Sequence, residues 1–181
     1  MKVPVYIIGA KAVLFDKEAG NKLLQEFYGR PLAERKPRPG EVYDPPFTLS
    51  LYEALYLCEK GVVEPVHQGH RMGCEELRGY AESTVPGFRY RYAVYRDLRS
   101  RGYIVRSGLR FGADFTVYEV APGIEHAPYV ILVSKRNELV DPISIVRIGR
   151  VSHSVRKRLV LAVVDEDCSR IEYIIFKWVK L

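Results

Sequence analysis

A short segment near the middle of the chain, Val85-Pro86-Gly87, constrains the fold more than any other feature of the sequence. Consecutive Pro and Gly favour a turn and interrupt both helices and strands. The charge balance changes at the same point: residues 1–84 carry 11 basic and 12 acidic side chains, whereas residues 85–181 carry 17 and 10. The sequence therefore predicts two domains, residues 1–85 and 86–181, each large enough for one small sheet and a few helices.

The composition is that of a globular protein. Hydrophobic residues make up 48% of the chain, which is enough to form a core. No apolar run approaches the ~20 residues that a membrane-spanning helix requires, and the apolar segment after the N-terminus is too short for a secretory signal. We therefore expect a cytoplasmic protein without a membrane partner. The basic excess of the second part predicts that a polyanion binds there, although a merely basic surface is an equal alternative.

The three cysteines, Cys58, Cys74 and Cys168, are odd in number and far apart in the sequence. This arrangement argues against a disulfide framework and fits a reducing compartment. A zinc site could be drawn from His67, His70 and Cys74, but a fourth ligand at zinc-finger spacing is missing. A polar loop is the favoured interpretation, and we expect neither a metal nor a cofactor.

The first part reads as a mixture of strands and helices. Two short apolar runs separated by Gly9-Ala10-Lys11 predict a hairpin. Helical spacing follows over residues 18–28, then a loop rich in proline. Ser50 and Glu53 have the spacing of a capping box, which predicts that a helix begins there and ends near Gly61. A short strand after Gly61 and a helix over residues 74–82 complete a small α/β domain.

The second part begins with a helix and continues with five predicted strands. Phe88, Tyr92, Tyr95 and Leu98 fall on one helical face, which is more typical of a core than of a base-stacking surface. Strands are expected over residues 103–106, 111–120 and 129–134, then a helix that begins at Asp141-Pro142, and then strands over 159–164 and 171–179. The chain is therefore predicted to be a mixed α+β (α/β) protein, with a small mixed sheet in its second domain.

Three ionisable residues of different types lie at the ends of core strands in this second part. Tyr118 is expected on the polar side of its strand, His126 ends the loop before the next strand, and Lys157 precedes an apolar strand. Scission of RNA by its own 2′-hydroxyl needs a base, an acid and a cation beside the phosphorane. Histidine is a natural acid near neutral pH, and a phenol of ordinary pKa, ~10, needs a cationic neighbour such as Lys157 to serve as the base. The three side chains could supply this chemistry without a metal.

Three sequence motifs carry a family resemblance. They are Gly108-Leu-Arg-Phe-Gly-Ala-Asp-Phe-Thr-Val-Tyr118, His126-Ala-Pro-Tyr-Val-Ile-Leu-Val133, and Arg150-Val-Ser-His-Ser-Val-Arg-Lys157-Arg-Leu-Val-Leu-Ala162. In this order they resemble the catalytic domain of archaeal tRNA-splicing endonucleases, and the resemblance covers residues ~88–181 well and the first domain loosely. It implies a catalytic domain whose mixed sheet is like that of restriction endonucleases.

The resemblance also implies roles for individual residues. Tyr118 would be the general base, His126 the general acid, and Lys157 the group that stabilises the transition state. The substrate would be a precursor tRNA folded as a bulge–helix–bulge, cut to a 2′,3′-cyclic phosphate and a 5′-hydroxyl. Arg150 would grip a bulged base by a cation–π contact. His153 is interpreted as structural or phosphate-facing.

Assembly is implied by the same resemblance. The acidic turn Asp165-Glu166-Asp167 would insert into a basic pocket of a neighbouring subunit, with an ordinary exposed hairpin turn as an equal alternative. The apolar residues 174–179 fit burial at an interface between subunits. The sequence leaves open a homo-oligomer or a heterotetramer with a non-catalytic paralogue.

Two other functions remain as alternatives. A metal-dependent nuclease of restriction type needs carboxylates for Mg²⁺ and a Glu-x-Lys motif, and the chain has this motif only at Glu34-Arg-Lys36, in the proline-rich loop. A catalytically silent RNA-binding or assembly subunit would share the fold, but the residues Tyr118, His126 and Lys157 are all present. The sequence therefore favours the nuclease.

Overall fold

The computed structural model describes residues 2–33, 37–38, 40–122, 126–177 and 179. The chain forms two compact units, Met1–Phe88 and Arg89–Leu181, each with its own sheet. Both sheets mix parallel and antiparallel strands and both pack with helices, so the predicted mixed α+β class is confirmed.

The first unit is built on a six-stranded sheet with the strand order β3-β4-β2-β1-β5-β6. The pair β1–β5 is parallel and the other pairs are antiparallel. The elements are β1 (Val3–Ile8), β2 (Lys11–Leu14), α1 (Lys17–Gln25), β3 (Arg30–Pro31), β4 (Phe47–Ser50), α2 (Leu51–Glu59), β5 (Val63–His67), β6 (His70–Arg71) and α3 (Cys74–Thr84). The predicted hairpin is the β1–β2 pair.

The capping box at the start of α2 is confirmed. The hydroxyl of Ser50 accepts a hydrogen bond from the backbone N–H of Glu53 at 3.2 Å, and the Glu53 carboxylate accepts one from the backbone N–H of Ser50 at 2.7 Å. The same buried carboxylate also accepts the backbone N–H of Gly29 at 2.9 Å, so it joins α2 to the segment after α1. A buried carboxylate is stable here because several donors replace the water that it has lost.

The expectation that the chain lacks disulfides is wrong. Cys58, in the last turn of α2, is bonded to Cys74, the first residue of α3, with the two Cα atoms 5.8 Å apart. The β5–β6 hairpin between the two helices reverses the chain and returns it to the end of α2. The two cysteines are therefore close in space although 16 residues separate them in the sequence. Their spacing in the sequence alone does not show this proximity. Cys168 carries a free thiol.

The second unit holds a five-stranded sheet with the order β11-β10-β9-β8-β7. The pair β9–β10 is parallel and the others are antiparallel. The elements are α4 (Phe88–Ser100), β7 (Ile104–Ser107), a 3-10 turn (Leu109–Phe111), β8 (Phe115–Tyr118), β9 (Tyr129–Lys135), α5 (Pro142–Ser154), β10 (Arg158–Val164) and β11 (Ile171–Phe176). Asp141 caps α5, as predicted, by accepting the backbone N–H groups of Ile143 and Ser144.

The two faces of this sheet are covered by different helices. The ring of Tyr95 on α4 lies 6.1 Å from the ring of Phe115 on β8, and the predicted apolar face of α4 is buried. On the opposite face, Ile148 of α5 packs with Val130 of β9 and Leu159 of β10. The sheet is therefore a central layer between α4 and α5.

The side chains of β8 alternate between the two faces of the sheet, as predicted. The prediction that the face of Tyr118 is a polar, exposed face is wrong. Thr116, two residues before Tyr118, is only 4% exposed because α5 covers that face. The strand is also shorter than expected, since the residues before Phe115 form the 3-10 turn and a reversal at Gly112, whose φ is +69°. The last strand, β11, ends at Phe176, and Ile174 and Ile175 are 47% and 46% exposed.

No helix in the described ranges combines the length and the apolar character that crossing a bilayer would require.

The disulfide provides a test of the first unit. Closing a loop of about 15 residues stabilises a folded chain by ~3 kcal/mol, chiefly by restricting the unfolded state. We therefore expect Cys58→Ser to lower the free energy of unfolding by about that amount, measured by denaturant unfolding of the full chain. Cys168→Ser is the matched control and should leave stability nearly unchanged. Equal stability of the two variants, and of the parent chain under reductant, would contradict the disulfide.

Candidate active site

The starts of β9 and β10 and the end of β8 lie at one edge of the second sheet. Val117 pairs with Tyr129, and Tyr129 pairs with Arg158, so these three positions form one row across the sheet. Tyr118 follows the row on β8, and Lys157 precedes it on β10. Neighbouring strands lie ~4.8 Å apart, which separates the Cα atoms of Tyr118 and Lys157 by roughly 10 Å.

Tyr118 and Lys157 also belong to the same face of the sheet. Thr116, Val130 and Leu159 are opposite each other in neighbouring strands, and the last two pack against α5. Side chains two residues apart along a strand return to the same face. Tyr118 lies two residues after Thr116, and Lys157 lies two residues before Leu159. The phenol and the ammonium are therefore directed to the α5 side at the same edge.

The Lys157 side chain is held by defined contacts. Its ammonium donates a hydrogen bond to the backbone carbonyl of Ala127 at 2.8 Å and lies 5.4 Å from the centre of the Phe111 ring. Its backbone N–H donates to the carbonyl of Ser152 at 2.8 Å, which fixes the turn between α5 and β10. Partial burial lowers the pKa of Lys157 because removal from water disfavours the charged form.

His126 precedes the residue that receives this hydrogen bond. Its side chain is exposed, and residues 123–125 of the loop before it lie outside the described part of the chain. The backbone N–H of Arg158 donates to the carbonyl of Pro128 at 2.8 Å, so the segment after His126 is joined to the start of β10 at a second point. The structure thus brings Lys157 and the segment that carries His126 together, at the edge where Tyr118 lies.

Arg150 lies on the solvent side of α5, away from the buried positions Ile148 and Ser152. Arg147, Arg150 and His153 recur every three residues and are all exposed, which makes a basic stripe along the helix. The stripe leads toward the C-terminal end of α5, where the chain turns to Lys157. The sequence analysis assigns Arg150 to a bulged base and leaves His153 as structural or phosphate-facing, whereas the structure places both, with Arg147, on one exposed side of the helix.

The three acidic residues of the β10–β11 turn have different surroundings. Asp165 is ion-paired with Arg136, which also lies 3.2 Å from the Glu172 carboxylate. Glu166 and Asp167 are exposed. The backbone N–H and the hydroxyl of Ser169 donate hydrogen bonds that hold the pKa of Asp167 below its usual value. The Glu166 carboxylate accepts a hydrogen bond from the side-chain amide of Asn137 at 3.3 Å. The turn is therefore fixed by its own contacts, although the side chains of Glu166 and Asp167 remain exposed.

Other residues at this edge were not singled out from the sequence. The sequence predicts a strand that begins at Phe111, and it gives Ala127 no role of its own. Ser152 is fully buried, and its hydroxyl has no hydrogen-bond partner among the described residues. The described ranges contain no group of three His, Cys, Asp or Glu residues placed to hold a metal ion. The Glu34 and Lys36 of the alternative motif lie outside the described residues.

Comparison with known proteins identifies the family of both units. Residues 3–78 match the model for the N-terminal domain of tRNA intron endonuclease, and residues 88–173 match the model for its catalytic C-terminal domain. A tRNA-splicing endonuclease of Hyperthermus butylicus is 49% identical over 176 residues, which cover 96% of this chain and 97% of that protein. The protein of the same name from Sulfurisphaera tokodaii is 44% identical over 86% of each chain, and that from Sulfolobus acidocaldarius is 41% identical over 97% of each. The chain therefore belongs to the tRNA-splicing endonuclease family, the tRNA intron endonucleases, with the N-terminal domain of the family followed by its catalytic C-terminal domain.

Proposed function

We propose that the chain excises introns from precursor tRNA without a metal, using Tyr118 as general base, His126 as general acid and Lys157 as the stabilising cation. One observation supports this proposal above the others. The ammonium of Lys157 is hydrogen-bonded to the carbonyl next to His126, at the sheet edge and on the sheet face to which Tyr118 also belongs. A phosphate at this edge would meet all three groups.

The reaction follows from the chemistry of the three side chains. Tyr118, as the general base, takes the proton of the ribose 2′-hydroxyl, and the 2′-oxygen attacks the adjacent phosphorus. The phosphorane carries extra negative charge, which the ammonium of Lys157 stabilises most strongly in the transition state. His126 donates its proton to the departing 5′-oxygen as that bond breaks. The products are a 2′,3′-cyclic phosphate and a 5′-hydroxyl.

The proposed substrate is a precursor tRNA folded as a bulge–helix–bulge at the exon–intron junctions. The basic excess lies in the half of the chain that contains the site, and exposed cations attract a phosphate backbone without regard to sequence. The basic stripe of α5 would extend this attraction along the helix, because it runs toward the turn that leads to Lys157. Arg150, in the middle of the stripe, has the planar guanidinium needed to stack on an unpaired base.

The working unit is proposed to be a homo-oligomer or a heterotetramer with a non-catalytic paralogue, because an intron has two junctions to be cut. The exposed carboxylates of Glu166 and Asp167 are available to a basic pocket on another subunit, whereas Asp165 fixes the turn through Arg136. The exposed apolar side chains of β11 offer an edge strand to the same assembly. The chain is proposed to act in the cytoplasm.

Removal of either the acid or the cation tests the proposed roles. We expect His126→Ala and Lys157→Ala to lower the single-turnover cleavage rate of a bulge–helix–bulge RNA by ~10²- to 10⁴-fold, because each removes a group that acts in the transition state. Affinity for uncut RNA should change much less. His70→Ala and Lys11→Ala, which change exposed residues of the first unit, are matched controls. Parent-like rates in both site variants would exclude the assignment.

The chemistry of the cut ends tests the metal-independent mechanism separately. Cleavage should continue in excess EDTA, and mass spectrometry should find a 2′,3′-cyclic phosphate on one fragment and a 5′-hydroxyl on the other. Loss of cleavage in EDTA with recovery on added Mg²⁺ would instead support a metal-dependent nuclease. Cleavage only after a second protein is added would identify a heteromeric enzyme.

Contact between Lys157 and a phosphate can be tested by measuring the pKa of Lys157. NMR titration of the reductively methylated chain should give a pKa for Lys157 below its ordinary value, with Lys157→Arg used to assign the signal. An RNA with 2′-deoxy substitutions at the cleavage sites should raise that pKa, because a nearby negative charge favours the ammonium. The alkaline loss of charge would therefore occur at higher pH in the complex than in the free protein. An unchanged pKa on binding would place the phosphate elsewhere.

A further inference from the structure

The aromatic ring of Phe111 lies beside the Lys157 ammonium and has no role in the proposed reaction. Phe111 closes the 3-10 turn that precedes β8, and its half-buried ring packs against the cluster of Val130, Ile148 and Leu159. The chain reverses immediately after it at Gly112, whose positive φ suits glycine. The ring is therefore held by the core of the second unit, while its accessible part meets the Lys157 ammonium.

We infer that Phe111 is a positioning residue for Lys157, holding its ammonium between the aromatic face and the carbonyl of Ala127. This inference rests on the proposed role of Lys157. The ammonium nitrogen lies 5.4 Å from the ring centre, within the distance at which a cation is attracted by the negative face of an aromatic ring. The Ala127 carbonyl accepts one of its three N–H groups at 2.8 Å. The remaining donors are available to the scissile phosphate.

The two contacts restrict a side chain that is otherwise flexible. A lysine has a long stem and loses conformational entropy when it is fixed. The ring and the carbonyl fix the ammonium before the substrate arrives. The loss of conformational entropy therefore does not add to the barrier of the reaction step. The ring also excludes water on its side, so the attraction between the ammonium and the phosphorane is less screened. Phe111 thus acts through Lys157 and needs no contact with RNA.

Substitution of the ring can separate its aromatic face from its bulk. Phe111→Leu keeps an apolar cover but removes the cation–π attraction, so we expect it to lower the pKa of Lys157 further, by about 0.4 to 1.5. A ring that served only as a cover would give an unchanged or a higher value, since a smaller side chain admits water. The sign of the change therefore distinguishes the two roles, and its measurement requires no cleavage.

Cleavage kinetics provide the second measurement. Phe111→Leu should slow the single-turnover step by roughly 2- to 30-fold, while the affinity for RNA with 2′-deoxy cleavage sites stays within about two-fold. Phe111→Tyr retains the aromatic face and should preserve both the rate and the pKa. Leu109→Ala, on the same turn but 82% exposed, is the matched control and should change neither. Melting curves of all three variants show whether each is folded.

The possible outcomes are distinct. A lower pKa of Lys157 together with slower cleavage in Phe111→Leu supports the positioning role. An unchanged or higher pKa overturns it, as does weaker RNA binding with an intact rate, which would mean that the ring contacts RNA directly. Failure of the proposed function itself is a separate result, because it is read from Lys157→Ala and not from any change at Phe111.

Discussion

The parallel pairing of β9 with β10 is the constraint on which the second unit depends. Two parallel strands cannot be joined by a hairpin, so the chain must cross over the sheet, and α5 is that crossover. The crossover helix α5 covers the face of the sheet opposite α4. Because both faces are covered, β10 is largely buried on both sides, which explains why residues 159–164 are all apolar. It also brings the starts of both strands to one edge. Lys157, which precedes β10, therefore meets the segment that follows His126 and leads into β9.

The local chemistry of the site follows from the position of this edge. A lysine on the open surface would keep its full hydration, and its attraction to a phosphate would be screened. Lys157 lies where α5 ends and β10 begins, close enough to the core for burial to lower its pKa, yet its ammonium remains hydrogen-bonded to Ala127. The same turn thus supplies both partial removal from water and a fixed geometry. These are the conditions under which one charge acts strongly on a transition state.

Most of the fold could be predicted because it is encoded locally. The capping box of Ser50 and Glu53, the N-cap at Asp141 and the helical face that includes Tyr92 and Tyr95 depend on residues within a few positions of each other. The burial of Thr116 could not be predicted in this way, because it depends on which helix covers the second face of the sheet. The three candidate site residues were found through motif order, whereas Phe111 required knowledge of how a turn folds back onto Lys157.

The disulfide and the acidic turn show that the role of a cysteine or a carboxylate depends on its tertiary contacts. The odd number and wide spacing of the cysteines predict free thiols, whereas the approach of α2 to α3 brings Cys58 and Cys74 within bonding distance. In the turn after β10, three consecutive acidic residues look equivalent in the sequence. Arg136 pairs with Asp165, so the proposed partner would meet a preformed turn with the charges of Glu166 and Asp167. A basic pocket would therefore gain affinity from the order of the turn as well as from its charge, since little conformational entropy remains to be lost on binding.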